Sequence, residues 1–304
     1  MSTRPPLLSV VTPAWNEARN LPVLYEQLQE VLAAAGLSWE WIVVDDHSRD
    51  ATFDVVRELS ARDPRVRGVR LARNGGSHLA IVCGLDDAQG DAAVVLAADL
   101  QDPPHTLPAM LERWRAGAQV VWAARRQVPG HSRAGGGFSR VYYWMMRHVV
   151  GMREMPAAGA DFFLLDRVVI DAFRQLRERH VSVLALITWL GFRQELIEYD
   201  KQPRLHGVSG WSVRRKVKLV LDSVTSFSDL PIVACWTLGL LMIVVATVLG
   251  IAGFLGMSLG VLEPAHVVLL AAVGGVSGVG LVMLGIVGEE IGRASCRERV
   301  LDHV

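Results

Sequence analysis

Between Ile232 and Gly288 the chain carries a single formally charged residue, Glu263. No other feature restricts the fold so tightly. The stretch Ile232–Met257 offers about 25 uncharged residues, which at about 1.5 Å per residue in a helix exceeds a hydrocarbon core of about 30 Å. His266–Gly288 forms a second such run, and the connection through Ser258, Glu263 and Pro264 is too short to hold a domain. The expectation is a hairpin of two membrane-spanning helices. Gly274 and Gly278 stand at small-xxx-small spacing, which lets helices approach closely. Over its whole length the 304-residue chain balances 31 Lys+Arg against 31 Asp+Glu. That balance leaves no overall basic field for nucleic acid. Ample apolar mass and only three cysteines exclude a disordered chain and a disulfide scaffold.

The charges flanking the two runs are asymmetric. Arg214, Arg215, Lys216 and Lys218 precede the first and Arg293, Arg297 and Arg299 come after the second, whereas the connection has no Lys or Arg. The positive-inside rule then places both flanks, and the large N-terminal part, in the cytosol. The apolar run LLSVV is interrupted too early, by Pro13, Asn16 and Glu17, to read as a signal peptide. Cys83, Cys235 and Cys296 have no metal or redox spacing and are expected as free thiols. From Trp211 to Ser228, Val213, Val217, Val220, Leu221, Val224 and Phe227 share one helical face, with the basic cluster beside or opposite it. This pattern suits a helix lying at lipid headgroup height. The expected organisation is a cytosolic domain over 1–210, an amphipathic helix over 211–230, two spans over 231–290 and a tail over 291–304. The run IGRASCRERV at Ile291–Val300 coincides with a conceptual translation of a common sequencing adapter and is read as foreign to the protein. Continuous genomic sequence across codon 291 would refute that reading; until then Arg297 and Arg299 do not count toward the topology, which the basic cluster before the first run and the bare connection still support.

In the N-terminal part, β-rich runs at Leu7–Thr12, Trp41–Val44, Val66–Leu71 and Ala93–Ala97 alternate with helical stretches at Leu21–Ala35, Ala51–Ala61 and His78–Ala88. A βαβα rhythm predicts an α/β domain with a mostly parallel sheet covered by helices. Ligands of such sheets bind beyond the carboxyl ends of the strands. The segments just past the strands here are polar: TPAWNE after the first, DDHSRD after the second, and ADLQDPP after the fourth. Several carboxylates at one edge repel unless a cation or hydrogen-bond donors lie among them. Asp99 and Gln101 supply the oxygen ligands that Mg²⁺ or Mn²⁺ prefers, and such an ion bridges nucleotide phosphates.

The ordered runs SVVTPAWNEARNL, WIVVDDHSRDAT, LARNGGSHLAIVCGLDDAQGD, AADLQDPP, GADFFLLDR and RLHGVSGW, succeeded by two apolar spans, resemble the inverting family 2 glycosyltransferases. The resemblance is strongest to the polyprenyl-phosphate branch, which includes bacterial undecaprenyl-phosphate glucosyltransferases and dolichol-phosphate mannose synthases. It covers about residues 7 to 292 and implies a GT-A nucleotide-diphosphosugar transferase domain. It also implies a nucleotide-sugar donor, a polyprenyl-phosphate acceptor in the membrane, Mg²⁺ or Mn²⁺, and the tetrameric assembly common among relatives. By motif, Pro13, Trp15, Glu17, Val44, Asp46, Ala98, Asp99 and Arg125 fall at nucleotide-sugar positions, with Trp15 where Tyr is usual. Asp99 and Gln101 match metal ligands. Arg140, Arg204, Ser209 and Lys216 fall on the acceptor-phosphate side, and Asp99, Asp161 and Arg204 are the catalytic candidates. Ala97 stands where many relatives have the first Asp of Asp-x-Asp, and Gly210 replaces a frequent Lys, for which Lys216 or Lys218 would substitute.

A lipid phosphate monoester is mostly dianionic at neutral pH, so no strong general base is required. The site must join two anions and neutralise the departing diphosphate, tasks suited to arginines and a divalent ion. Asp161 either orients a sugar hydroxyl or the acceptor, or caps a helix beyond it. Asp102 is expected to position the Pro103–Pro104 turn. The expected reaction is transfer of a hexose, glucose from UDP-glucose, to undecaprenyl phosphate. A GDP-mannose or amino-arabinose donor is the alternative within the class. A processive polysaccharide synthase is disfavoured by two spans alone and no Gln-x-x-Arg-Trp run. A catalytically weak membrane-anchored scaffold subunit has only Ala97 and Gly210 in its support.

Overall fold

The structure is a computed structural model that describes residues 7–126, 144–148, 161–176, 182–200, 202, 230–259 and 264–301. The expectations for Arg140, Arg204, Ser209, Lys216 and the amphipathic segment before residue 230 lie outside these residues. The chain divides into two compact units, Met1–Ser223 and Val224–Val304.

In the first unit every expected strand and helix is present. Strand β1 (Leu7–Ala14), helix α1 (Leu21–Ala35), β2 (Ser38–Asp45), α2 (Thr52–Arg62), β3 (Val66–Arg70), α3 (Ser77–Asp87) and β4 (Ala92–Val95) occur in that order. The fourth strand ends two residues before the expected Ala97, although Leu96 still donates its N–H to Val11 O at 3.0 Å. After α4 (Leu107–Arg115) come β5 (Val120–Arg125), β6 (Phe162–Asp166), α5 (Arg167–Gln175), α6 (Val183–Trp189) and β7 (Gln194–Tyr199). The sheet order is β3-β2-β1-β4-β6-β5-β7. Strands β3, β2, β1 and β4 are mutually parallel, β6 runs antiparallel to both β4 and β5, and β7 is parallel to β5.

Strands β1, β2 and β4 are covered on both faces, so they read as continuous apolar runs and not as alternation. Helix α1 buries Leu21, Leu24, Leu28 and Leu32, one stripe at three- and four-residue spacing, each contributing about 1.5–3 kcal/mol before the entropy cost. It stops at Gly36, whose φ of 63° is left-handed and open to glycine without strain. The indole N–H of the buried Trp41 donates to Thr12 Oγ1 at 2.9 Å, so the large ring leaves no orphaned donor in the core.

Helix α3 is anchored at its C-terminal end by arginines from α5. Arg174 donates to the carbonyls of Leu85, Asp86 and Ala88, and Arg167 to those of Ala88 and Gly90. These cations satisfy carbonyls at the negative end of the helix dipole. The opposite end of α3 is thereby held at the carboxyl edge of the sheet.

The second unit is the pair α7 (Leu230–Ser258) and α8 (Pro264–Leu301). Each contains a segment long and apolar enough to cross a membrane, Ile232–Gly256 and Ala271–Gly288. Their apolar side chains are not core: Phe254 is 70% and Val276 76% exposed, an outward surface that water does not tolerate over such an area. The helices meet at glycines. A Cβ at Gly278 would lie 2.8 Å from Gly239 O and 2.7 Å from Ile243 Cγ1, so only glycine permits this approach. The backbone of α8 continues as helix to Leu301, through the run read as foreign.

Candidate functional site

Register brings the strand ends to one edge. Ala14 lies opposite Asp45, Asp45 opposite Arg70, and Val11 opposite Val95, so β1, β2, β3 and β4 finish together. Because β6 runs backwards, with Phe163 opposite Val95, its beginning and not its end reaches this edge, and Asp161 immediately precedes it. Strands β5 and β7 are parallel to β4 in effect and end there too, with Arg125 opposite Tyr199. The alternative in which Asp161 caps a helix is corrected: the next element is a strand, and the cap of α5 is Asp166, whose carboxylate accepts Val168 N–H at 3.0 Å.

The loops after β1 and β2 are joined by side-chain bonds. Asn16 N–H donates to Ser48 Oγ at 2.9 Å, Arg49 N–H to Asn16 Oδ1 at 2.8 Å, and Glu17 N–H to Thr52 Oγ1 at 2.8 Å. Glu17 in turn accepts from the Asn20 amide. Pro13 is half-buried, and the Trp15 indole projects at this rim, 39% exposed. Val44 is fully buried against α3, where Gly84 leaves it room, so it supports the edge from below. Ala98 is likewise buried, whereas Arg125 is exposed.

The carboxylates at the end of β2 and just past it meet protein donors or a cation, although the buried Asp45 Oδ2 has an ion pair and no hydrogen bond. Asp45 is fully buried; one oxygen accepts Ser48 N–H at 2.9 Å and the other faces the Arg70 guanidinium at 3.3 Å. Asp46 accepts Gly75 N–H at 2.6 Å and Gly76 N–H at 2.8 Å, and its own N–H donates to Ala14 O at 2.8 Å. Asp50 accepts from Thr52 and Ala18. The argument for a cation therefore narrows from the whole acidic edge to the loop after β4.

In that loop Asp99 is 9% exposed and accepts Gln101 N–H at 3.2 Å. Leu100, between them, is buried with φ 59°. Asn16 and His47 adopt the same left-handed region at φ 58° and 59°. All three edge loops thus hold a non-glycine residue in a conformation costing about 1–3 kcal/mol, a concentration of strain typical of functional sites. Asn tolerates this region, but nothing in the sequence marks Leu100 for it. Among the described residues no three His, Cys, Asp or Glu side chains converge as a metal cage. The donor set Asp99 and Gln101 still fits Mg²⁺ or Mn²⁺, which use one or two protein oxygens and complete their shell with water and phosphate.

Gln202 N–H donates to Gln101 O at 2.9 Å, which brings the chain two residues before Arg204 onto this motif. Tyr199, 8% exposed, donates its hydroxyl to Asp102, 1% exposed. Burial, then the charge of Asp102 and its hydrogen bond, hold the phenol far above its usual range; Asp161 and Asp99 add to the effect and are therefore electrostatic neighbours. On α3, burial holds His78 below its ordinary value against the opposing pull of Asp161. Its Nδ1 accepts Val183 N–H at 3.4 Å, which assigns the proton of the neutral ring to Nε2. Sequence reasoning missed Tyr199, Ser48 and Thr52, whose roles depend on partners far away in the chain.

The family model described as glycosyl transferase family 2 matches residues 9–174. A glycosyltransferase of Synechocystis sp. (strain ATCC 27184 / PCC 6803 / Kazusa) is 34% identical over 289 residues, covering 94% of this chain and 90% of that protein. The bactoprenol glucosyl transferase of Shigella phage SfV is 29% identical over 290 residues, covering 94% of this chain and 93% of that protein. Among solved structures, glucosyl-3-phosphoglycerate synthase from Mycobacterium tuberculosis, in complex with Mn²⁺, UDP and glucosyl-3-phosphoglycerate, aligns with a TM-score of 0.54 and 14% identity. It covers 73% of this chain and 80% of that one, a likeness of fold.

Proposed function

Since the chain belongs to glycosyl transferase family 2 and has the GT-A fold, we propose that it transfers glucose from UDP-glucose, with inversion, to a polyprenyl phosphate of the undecaprenyl type. The reaction is placed at the cytoplasmic face of the membrane, with the two apolar helices as a multi-pass anchor and the segment 211–230 at headgroup height. One observation carries the reading. Asp99, Gln101, Asp161 and Arg125 meet at one sheet edge together with the chain leading to Arg204, in a protein that also has two membrane-length apolar helices. The name of the phage relative supports glucose and a polyprenol as donor sugar and acceptor.

In this reading Trp15 stacks on the nucleotide base, and Pro13, Glu17, Val44, Asp46 and Ala98 shape its cleft. Asp99 and Gln101 would hold Mg²⁺ or Mn²⁺, which supplies Lewis-acid stabilisation to the departing diphosphate. Arg125 and Arg140 offset charge near phosphate and sugar. Arg204, Ser209 and Lys216 orient the acceptor phosphate, which is already anionic and attacks C1 without a strong base. Asp161 orients a sugar hydroxyl or the incoming acceptor. Catalysis is then positioning and electrostatics. The partners are the nucleotide sugar, the lipid acceptor, surrounding lipids and further copies of the chain, a tetramer by analogy with relatives.

Purified protein incubated with undecaprenyl phosphate, Mg²⁺ or Mn²⁺, and labelled UDP-glucose, GDP-mannose or UDP-N-acetylglucosamine tests this directly. Label should enter lipid from UDP-glucose, and Asp99→Ala should abolish transfer. Transfer from GDP-mannose alone would replace the donor, and wild-type rates in Asp99→Ala would refute the metal assignment. Failure with every donor, an amino-arabinose nucleotide included, would favour a scaffold subunit in which Ala97 marks lost chemistry.

A further inference from the structure

Two parts of the proposed site meet the side chain of one buried residue that has no assigned role, a third meets its backbone, and a fourth meets the chain three residues beyond it. The Tyr199 hydroxyl donates to Asp102, three residues beyond Asp99 in the metal motif. Its ring packs edge-on against Phe162, centroids 5.7 Å apart, and Phe162 comes directly after Asp161. Its carbonyl accepts Arg126 N–H at 2.8 Å, beside Arg125. Three residues further on, Gln202 N–H bonds to Gln101 O at 2.9 Å, after which the chain proceeds to Arg204. Strand β7 is otherwise an edge strand with one neighbour, β5, so its end has few other restraints toward the centre of the sheet.

We propose that Tyr199, through its bond to Asp102, is a positioning residue that holds the end of β7 and Gln202, from which the chain leads in sequence to the acceptor-side Arg204, in register with the metal motif at Asp99 and Gln101. The inference rests on the function proposed above and adds to it what couples the donor and acceptor halves of the site. Tyr199 is not a base or nucleophile. The hydroxyl is buried and acts as a donor, and its carboxylate neighbours oppose loss of the proton, so the strut persists at any working pH. A link of this kind affects acceptor use more than nucleotide binding, because the segment it holds, the end of β7 and Gln202, has no nucleotide contact assigned to it.

Tyr199→Phe keeps the ring against Phe162 and removes only the hydroxyl. Initial rates with each substrate varied should show the KM for undecaprenyl phosphate rising about five- to tenfold, as loss of one buried hydrogen bond implies, with the KM for UDP-glucose within about twofold. Asp102→Asn keeps an oxygen to accept the bond and should leave the acceptor KM near that of the wild type. Equal rises in both constants, or a lower melting temperature with neither constant changed, would overturn the proposal. A readout independent of turnover is hydrogen–deuterium exchange at the Gln202 amide, expected about tenfold faster in Tyr199→Phe; unchanged protection would overturn it as well. Should the wild type transfer no sugar, the functional reading fails, while the exchange result still decides whether Tyr199 holds this segment.

Discussion

Asp46→Ala separates two roles that a carboxylate at this edge can have. The Asp46 residue is 4% exposed and accepts Gly75 N–H at 2.6 Å and Gly76 N–H at 2.8 Å, just ahead of α3. Hydrogen bonds to a charged acceptor contribute about 1.5–3 kcal/mol each. Both glycines are partly reached by solvent, so water recovers a share of the loss and about 2–4 kcal/mol remains. At about 2–4 °C per kcal/mol for a domain of this size, the first unit should melt about 4–16 °C lower. Asp46→Asn should not restore it fully, because its amide nitrogen would face one of the two N–H donors. Far-UV circular dichroism melts in detergent, paired with titration of UDP in Mn²⁺, read the two quantities separately. A melt within about 1 °C of wild type together with lost UDP affinity would refute the reasoning: the carboxylate would then serve the nucleotide and not the loop.

Local geometry sets further expected outcomes. Asp63 bonds the Arg65 guanidinium, which chiefly lowers its carboxyl from 3.8 to about 2. A folded value below the unfolded one stabilises above about pH 4, and the contribution disappears as pH falls from about 4 to about 2. With the Arg65 side chain 45% exposed, solvent screening leaves about 1–2 kcal/mol; acid titration of Asp63→Asn should show that loss at about pH 7 and a flatter profile below about pH 4. Gly278→Ala should lower the hairpin's resistance to thermal unfolding in detergent by about 1–3 kcal/mol, because its Cβ meets Gly239 O at 2.8 Å. Gly275→Ala, which meets nothing within 4 Å, should be neutral, and equal effects would refute the close-contact account.

Local pattern was enough for much of this protein. The charge-free runs near the C-terminus, the βαβα alternation from Leu7 to Asp87 and the polar segments after β1, β2 and β4 are legible from composition and spacing, because burial, periodicity and turn chemistry act over a few residues. The direction and partners of β6 are not. Its run FFLLD is apolar on both faces and has no periodicity to read, so only pairing with β4 and β5, distant in the chain, places Asp161 at the site edge. The same holds for Tyr199, whose partner Asp102 lies 97 residues earlier, and for Asp46, whose charge is met by backbone N–H groups about 30 residues later. Leu100 is held left-handed although its type opposes it, since packing of the whole loop outweighs a local preference of about 1–3 kcal/mol. Residue types announce which chemistry a chain can perform, but which of them meet depends on long-range contacts that no short window contains.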